Sequence, residues 1–205
     1  MLKKLNMLLV GKRILFSRIF AVVLCILILV SQDRWEDNSF MDSFMEFTGL
    51  MLVCTCMLGR LWASIYISGY KSDRLITEGP YSVVRNPLYL FSLIGAAGIG
   101  LATESLVLTA LIGAAFLLYY PFVVIQEEEQ LARNHGEDFR TYASVTPRFF
   151  PRFSLYRQPV SYTVSLKHFQ RAFLDSGIFI LVYALLQIVE RLHTVGVLPT
   201  LIRLP

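Results

Sequence analysis

Long apolar runs separated by short polar segments extend over most of this 205-residue chain. Five runs read as membrane spans, at about 14–30, 44–67, 88–101, 106–125 and 172–189. A helix needs about 20 apolar residues to cross the hydrocarbon core of a bilayer, and the third run is short by that measure. The pattern predicts an all-α integral membrane protein with about five transmembrane helices.

Composition supports the membrane interpretation. Hydrophobic residues make up 55% of the chain and charged residues 17%, whereas a soluble domain carries about 25% charged residues. A net charge of +4 would suggest a nucleic-acid partner for a soluble protein. Here the basic residues flank the apolar runs and no nucleic-acid recognition motif is present, so no nucleic acid is expected as a partner.

The distribution of basic residues predicts the orientation in the membrane. Three arginines, at 34, 191 and 203, fall on one side of the predicted spans. The positive-inside rule places the more basic side in the cytoplasm, so we expect the N-terminus inside and the C-terminus outside. Without an organelle-targeting motif, the cytoplasmic membrane of a bacterium is the expected location. The fourteen residues on the basic side are Lys3, Lys4, Lys12, Arg13, Lys71, Arg74, Arg85, Arg133, Arg140, Arg148, Arg152, Arg157, Lys167 and Arg171.

Two further features lie inside the predicted spans. The three cysteines, Cys25, Cys54 and Cys56, lack metal-ligand spacing and are interpreted as small buried hydrophobic residues, so no metal site is expected. Arg60 lies inside the second span, where a charge is costly unless it reaches the interface or finds a partner. It is either a helix-packing or interfacial charge or a residue of a substrate pocket, and the sequence leaves both interpretations open.

A polar cluster precedes the third span. Asn86 is a favourable helix N-cap, and Pro87 is preorganised for the first helical position. The third span is therefore predicted to begin here, with its unpaired N–H groups and positive dipole end facing the cytoplasmic interface, where an anion would be stabilised. Tyr89 lies on the same helical face as Asn86, and Arg85 adds a positive charge. The alternative is a well-formed helix start without a binding role.

An acidic cluster, Glu127 to Glu129, follows the fourth span. Neighbouring helical residues point about 100° apart, so one of Glu127 and Glu128 can enter a pocket while the other contacts solvent. Three acids at a helix C-terminus would oppose the helix dipole, which argues against a simple solvated helix end. A carboxylate suits a ribose hydroxyl pair or an ammonium group. We expect both polar clusters to form one site at the membrane surface.

The order of these motifs resembles a known family. Gly79-x-Tyr81 is followed by Arg85-Asn86-Pro87-Leu88-Tyr89, an apolar hairpin, Glu127-Glu128-x-x-Leu131, and then Gly136, Tyr142 and Pro147. This series resembles the isoprenylcysteine carboxyl methyltransferase family, and the phospholipid N-methyltransferases share the same general plan. The resemblance implies one membrane domain over residues 1–205, with N-terminal helices at 1–69, a methyltransferase core at 70–152 and a C-terminal segment with a final transmembrane helix at 153–205.

The resemblance also implies chemistry: S-adenosylmethionine as cofactor, a lipid or prenylated acceptor, and a cytoplasmic-facing pocket unlike the Rossmann-type methyltransferase fold. Arg85 and Glu128 would orient the site and pair electrostatically, as its catalytic residues. Carboxyl methyltransferases of this family have an arginine four residues before the first glutamate, where this chain has Val123. Arg140 and Arg148 are the candidates to replace it. The implied cofactor-binding residues are Arg74, Leu75, Ile76, Tyr81, Asn86, Pro87, Leu88, Tyr89 and Glu127.

Methyl transfer from a sulfonium requires alignment of donor and acceptor and exclusion of water, so no catalytic triad or metal cluster is expected. His135, next to Gly136 in an expected surface turn, and His168 and His193 are therefore given structural or surface roles. Two alternatives stay open. In the first, the acceptor is a phospholipid amine and not a carboxylate, and the apolar Val123 favours this amine. In the second, the protein is a non-enzymatic membrane scaffold or transporter component.

Overall fold

The computed structural model describes residues 22–24, 26–29, 31–33, 40–68, 74–200 and 202–204. Two three-residue strands, β1 (Ser31–Asp33) and β2 (Ile202–Leu204), pair in parallel. Outside that pair, the regular structure of the described chain is helical, which confirms an all-α membrane protein and excludes a doubly wound fold. The helices are α1 (Phe40–Ile67), α2 (Pro80–Val83), α3 (Pro87–Leu101), α4 (Leu106–Val145) and α5 (Leu166–Thr194), with a 3-10 turn at Phe153–Leu155.

Three of these helices, α1, α4 and α5, are long and apolar enough to cross a membrane. Helix α3 has 15 residues and is about 22 Å long at 1.5 Å per residue, short of a hydrocarbon core of about 30 Å. The second to fifth predicted spans are thus confirmed as helices. Most of the first predicted span lies outside the described residues, although residues 22–24 and 26–29 are helical.

The long helices pack side by side in the order α5, α1, α3, α4. Val53 of α1, Ala102 at the end of α3 and Tyr183 of α5 form a buried cluster between three of them. The Tyr183 hydroxyl also donates to the Glu46 carbonyl at 3.2 Å, which joins α5 to α1 inside the bundle. The short helix α3 is therefore held between α1 and α4, which fixes the position of its N-terminus.

Small residues allow α1 and α3 to approach closely. A Cβ atom added at Gly98 would lie 2.8 Å from the Gly49 carbonyl oxygen, and one added at Gly49 would lie 2.8 Å from the Gly98 carbonyl oxygen. Small residues at a helix crossing allow this kind of backbone contact in membranes. The glycine-rich composition of the third predicted span thus serves helix packing.

Helix α4 differs from its prediction. The apolar span was expected to end near residue 125, but the helix continues to Val145, so Glu127–Glu129 lie inside it and the predicted conflict with a helix dipole was wrong. The expected surface turn at His135 and Gly136 was also wrong. Gly136 instead forms a kink with φ 50°, which glycine accepts because it has no Cβ atom. The kink lets α4 run past the membrane and turn over the start of α3.

The end of the bundle opposite to α2 contains the α3–α4 turn. Glu104 has φ 53° there, and Ser105 caps α4 by accepting from the Leu108 N–H at 3.4 Å. His193, near the end of α5, forms a 3.1 Å hydrogen bond to the Leu29 carbonyl. Since β1 and β2 also pair here, residues 26–29, 31–33 and 202–204 lie at the same end of the molecule.

We predict that Gly98→Ala destabilises the bundle by about 1–3 kcal/mol, because its Cβ atom would press on the α1 backbone. Gly113→Ala in α4 is the matched control, because no atom lies within 4 Å of a Cβ there and alanine is the better helix former. Thermal unfolding in detergent measures both. A Gly98→Ala variant as stable as the Gly113→Ala variant would contradict close α1–α3 contact.

Candidate functional site

Backbone hydrogen bonds join the segment before α3 to the segment after α4. The Gly79 N–H donates to the Arg157 carbonyl at 2.7 Å, and the Arg85 N–H donates to the Pro147 carbonyl at 2.9 Å. Between them, the Arg152 N–H donates to the Val83 carbonyl at 3.0 Å. The two segments, distant in sequence, therefore form one connected layer at the end of the bundle where α3 begins.

Glu128 is the centre of a buried polar cluster. Its Oε1 atom accepts from Arg85 Nε at 3.0 Å and from Asn86 Nδ2 at 3.0 Å. Its Oε2 atom accepts from Arg148 Nε at 3.0 Å and from Arg148 Nη2 at 2.7 Å. The Glu128 side chain is only 8% exposed. Charge-assisted hydrogen bonds of this length are strong, so Glu128 connects α4 to the start of α3 and to the segment after α4.

Arg85 forms the expected ion pair with Glu128 and also binds the end of α4. Its Nη1 atom donates to the Ala143 carbonyl at 2.6 Å and to the Thr146 carbonyl at 3.1 Å. Carbonyls in the last turn of a helix lack helical partners, and a nearby cation stabilises them. With a side chain 11% exposed, Arg85 contacts protein groups on most sides, so its geometry suits a positioning role.

Asn86 occupies the N-cap position of α3 as expected, but its side chain does not cap the helix. The side-chain amide instead donates to Glu128 and, at 3.4 Å, to the Arg148 carbonyl. The predicted start of the helix is confirmed, while the buried Glu128 carboxylate attracts the Asn86 amide away from the helix N–H groups. Pro87 is the first residue of α3 and is fully buried. The half-buried Leu88 contributes a carbonyl that accepts from Ser92 of the next turn.

Glu127 and Tyr89 bring the two predicted clusters into contact. The Tyr89 hydroxyl donates to Glu127 Oε1 at 2.6 Å, although the residues are 38 positions apart. Glu127 is exposed while Glu128 is buried, so the two carboxylates point in different directions as predicted. The Tyr89 ring meets the Tyr120 ring edge-on at 4.6 Å, and Tyr120 stacks on Phe116 at 4.9 Å. A carboxylate therefore lies beside an aromatic wall built from α3 and α4.

Tyr81 of α2 lies between this wall and the second half of α4. Its carbonyl accepts from the Tyr142 hydroxyl at 2.7 Å. Burial raises the pKa of the Tyr81 hydroxyl above its ordinary value, and the negative charge of Glu127 adds to the shift. The hydroxyl is therefore protonated at physiological pH and available as a hydrogen-bond donor near Glu127.

An open cavity of about 610 Å³ lies between the segment before α2 and the second half of α4, a size that suits small-molecule ligands. Two predicted cofactor-binding residues, Arg74 and Leu75, line it, whereas Ile76 is half-buried nearby without lining it. The predicted residues thus divide between this cavity and the Tyr89–Glu127 contact, with Tyr81 between them. The lining residues are Arg74, Leu75, Thr77, Ser82, His135, Asp138, Thr141, Tyr142, Val145, Thr146, Leu155 and Arg157.

Sequence reasoning missed two residues of this region. His135 lines the cavity, and its Nε2 atom is buried without a hydrogen-bond partner in the described part of the chain; no sequence pattern distinguished it from a surface histidine. Arg148 was considered only as a substitute for an arginine at position 123, yet it binds Glu128 directly. The other candidate, Arg140, pairs at the exposed surface with Glu137 at 3.1 Å.

Comparisons with known proteins agree with the sequence motifs. The family described as phospholipid methyltransferase matches residues 44–138. The nickel-cobalt-cadmium resistance protein NccN of Alcaligenes xylosoxydans xylosoxydans is 39% identical over 193 residues, which cover 94% of this chain and 90% of NccN. The chain belongs to the phospholipid methyltransferase family. This membership confirms the resemblance seen in the sequence motifs, because the isoprenylcysteine carboxyl methyltransferases are related to that family.

A second relative is also named as a metal resistance protein. The cobalt-zinc-cadmium resistance protein CzcN of Cupriavidus metallidurans is 40% identical over 177 residues, which cover 86% of this chain and 81% of CzcN. No solved structure matches the chain significantly. The family therefore supports membrane methyl transfer in general, while the names of the relatives refer to metal resistance.

We predict that Glu128→Gln lowers the free energy of unfolding by about 3 kcal/mol, because it leaves two arginines without their shared carboxylate. Glu129→Gln is the matched control: Glu129 is exposed and pairs with Arg133 at the surface, at 3.7 Å, where such a pair contributes less than about 1 kcal/mol. Unfolding in detergent compares the two variants. Equal stability would show that Glu128 does not hold the cluster together.

Proposed function

We propose that this protein is an S-adenosylmethionine-dependent methyltransferase that modifies a lipid or prenylated acceptor at the membrane surface. Membership in the phospholipid methyltransferase family supports the reaction class. The observation that carries the proposal is the hydrogen bond between Tyr89 and Glu127, because it joins the start of α3 to the acidic cluster of α4. Through this hydrogen bond, the two polar clusters form one site at the end of an apolar helix bundle.

The residues present fit the cofactor. Glu127 Oε2 has no hydrogen-bond partner among the described residues and is free to accept from a ribose hydroxyl or an ammonium group. The first N–H groups of α3 receive no side-chain cap from Asn86, and such groups stabilise a carboxylate. Aromatic rings and a neighbouring cavity provide apolar contact surface. In this proposal the cofactor is held by Arg74, Leu75, Ile76, Tyr81, Asn86, Pro87, Leu88, Tyr89 and Glu127.

Arg85 and Glu128 position the site in this proposal. Their charges are satisfied by each other, by Arg148 and by backbone carbonyls, so they keep the start of α3 in register with α4. When bound, S-adenosylmethionine supplies an electrophilic methyl group. The main tasks of the protein are then to align the acceptor and exclude water. A carboxylate acceptor needs no general base, whereas an amine must first lose its proton.

The acceptor's apolar tail would enter from the bilayer along the exposed face of α4. Leu117, Leu118 and Phe122 of α4 are exposed apolar side chains close in sequence to Tyr120, and they provide a surface that lipid tails can contact. In the proposed orientation the site faces the cytoplasm.

Because NccN and CzcN are named as metal-resistance proteins, we infer that this chain methylates its acceptor in cells exposed to such metals.

We predict that Glu127→Gln and Tyr89→Ala each weaken S-adenosylmethionine binding at least tenfold, a loss of about 1.4 kcal/mol or more. Isothermal titration calorimetry on the purified protein in detergent measures the affinity. Glu129→Gln is the control and should bind like the wild type, because its side chain points to solvent. Unchanged affinity in both test variants would remove Glu127 and Tyr89 from the cofactor site.

A second acceptor class, a phospholipid amine, is favoured by the apolar Val123, which stands where the carboxyl methyltransferases have arginine. We predict that membranes containing the wild-type protein transfer labelled methyl groups from S-adenosylmethionine to an extractable lipid. Release of the label by base would identify an ester and therefore a carboxylate acceptor. A base-stable label would identify an amine acceptor. Failure to bind or use the cofactor would support the non-enzymatic alternative, a membrane scaffold or transporter component.

A further inference from the structure

Arg60 of α1 is a charged residue in the interior of the helix bundle. It lies seven residues before the end of α1, about 10 Å along the helix axis. Its Nη1 atom donates to Ser92 Oγ at 2.5 Å and to the Leu88 carbonyl at 3.4 Å, both on α3. The guanidinium carbon also lies 5.5 Å from the centre of the Phe179 ring of α5. Arg60 is thus level with the first two turns of α3.

The charge of Arg60 is only partly compensated. Its Nε atom is buried and has no hydrogen-bond partner in the part of the chain that the structure describes. Among the same residues, no carboxylate lies within ion-pair distance of its guanidinium. A cation within a membrane-spanning helix is costly unless it is paired, and such residues usually mark a binding site. The hydroxyl and carbonyl partners on α3 are neutral and leave the positive charge in place.

A second unsatisfied donor lies nearby. The Tyr120 hydroxyl of α4 is buried and has no hydrogen-bond partner among the described residues. Its ring contacts Tyr89, whose hydroxyl binds Glu127. Arg60 donates to the carbonyl of Leu88, the residue before Tyr89 on α3. One donor from α1 and one from α4 therefore contact α3 at neighbouring residues.

We propose that Arg60 and Tyr120 bind the oxyanion of the acceptor's headgroup, a carboxylate or phosphate on a membrane-embedded amphiphile. This inference rests on the proposed function and names the acceptor chemistry of the same site. A guanidinium and a phenol are both donors, and a single anionic group with several oxygens satisfies both. Water is scarce at this depth, which strengthens the attraction between the cation and an oxyanion.

The position of the two residues fits an acceptor that arrives from the bilayer. Arg60 and Tyr120 come from α1 and α4, the helices that pack on either side of α3. Tyr89 contacts both Tyr120 and Glu127, so a bound oxyanion would lie next to the proposed cofactor residues. The alternative role of Arg60 is helix packing alone, through Ser92 and Leu88. A packing role would not distinguish ligands by charge.

The test measures binding of three amphiphiles with the same chain length: dodecanoate, dodecyl phosphate and the neutral methyl dodecanoate. Native mass spectrometry of the full chain in a neutral detergent gives the relative affinities. We expect Arg60→Gln to weaken both anions at least tenfold, Arg60→Lys to weaken them less, and Tyr120→Phe to weaken them several-fold. Binding of methyl dodecanoate should not change. Arg133→Gln, at an exposed surface pair, is the matched control and should behave like the wild type.

Unchanged anion binding in both Arg60→Gln and Tyr120→Phe would overturn the proposal. Equal losses of affinity for the anions and for methyl dodecanoate would also overturn it, because they would show that Arg60 only packs α1 against α3. Tyr120→Phe removes one hydroxyl and keeps the ring, so it remains informative where Arg60→Gln fails to fold. Inorganic phosphate as competitor separates a lipid headgroup from a free anion, and strong competition by it would contradict an amphiphile site. S-adenosylmethionine binding, measured in parallel, reports separately on the proposed function and should survive in Arg60→Gln.

Discussion

The arrangement of the site depends on one buried carboxylate. Glu128 lies in the middle of α4, yet it contacts Arg85 and Asn86 before α3 and Arg148 after α4. A carboxylate this deeply buried is stable only when its hydrogen-bonding capacity is filled, and both oxygens are occupied here. Because three separate segments meet at Glu128, the positions of Tyr89 and Glu127 follow from it.

The membrane imposes the rest of the architecture. In hydrocarbon the helices gain little from burying apolar surface against each other, so close contact depends on small residues such as Gly49 and Gly98. Polar groups are concentrated where α4 leaves the apolar layer and kinks at Gly136. Arg60 and Tyr120 are exceptions to this segregation, since each lies on a membrane-spanning helix and has a buried donor without a hydrogen-bond partner among the described residues. The free-energy cost of these two donors is the reason for the ligand proposed near the start of α3.

Family membership and the names of the relatives describe different levels of function. The phospholipid methyltransferase family indicates a type of reaction, while NccN and CzcN are named for the resistance in which they take part. The two are compatible, because an enzyme that changes the headgroup charge of a membrane component alters how the membrane surface interacts with cations. An acceptor that carries an oxyanion would connect both levels through one chemical group.

Long apolar runs can form few structures in a membrane other than helices, so the sequence alone determined the all-α class and the approximate limits of α1, α3 and α5. The opposite directions of Glu127 and Glu128 followed from helical geometry. Only the tertiary structure decided which of the two is buried, because Arg85 and Arg148 reach Glu128 from distant segments. The missing side-chain cap at Asn86 and the contacts of Arg60 and Tyr120 with the start of α3 have the same physical reason. Each depends on contacts between helices that no local pattern contains.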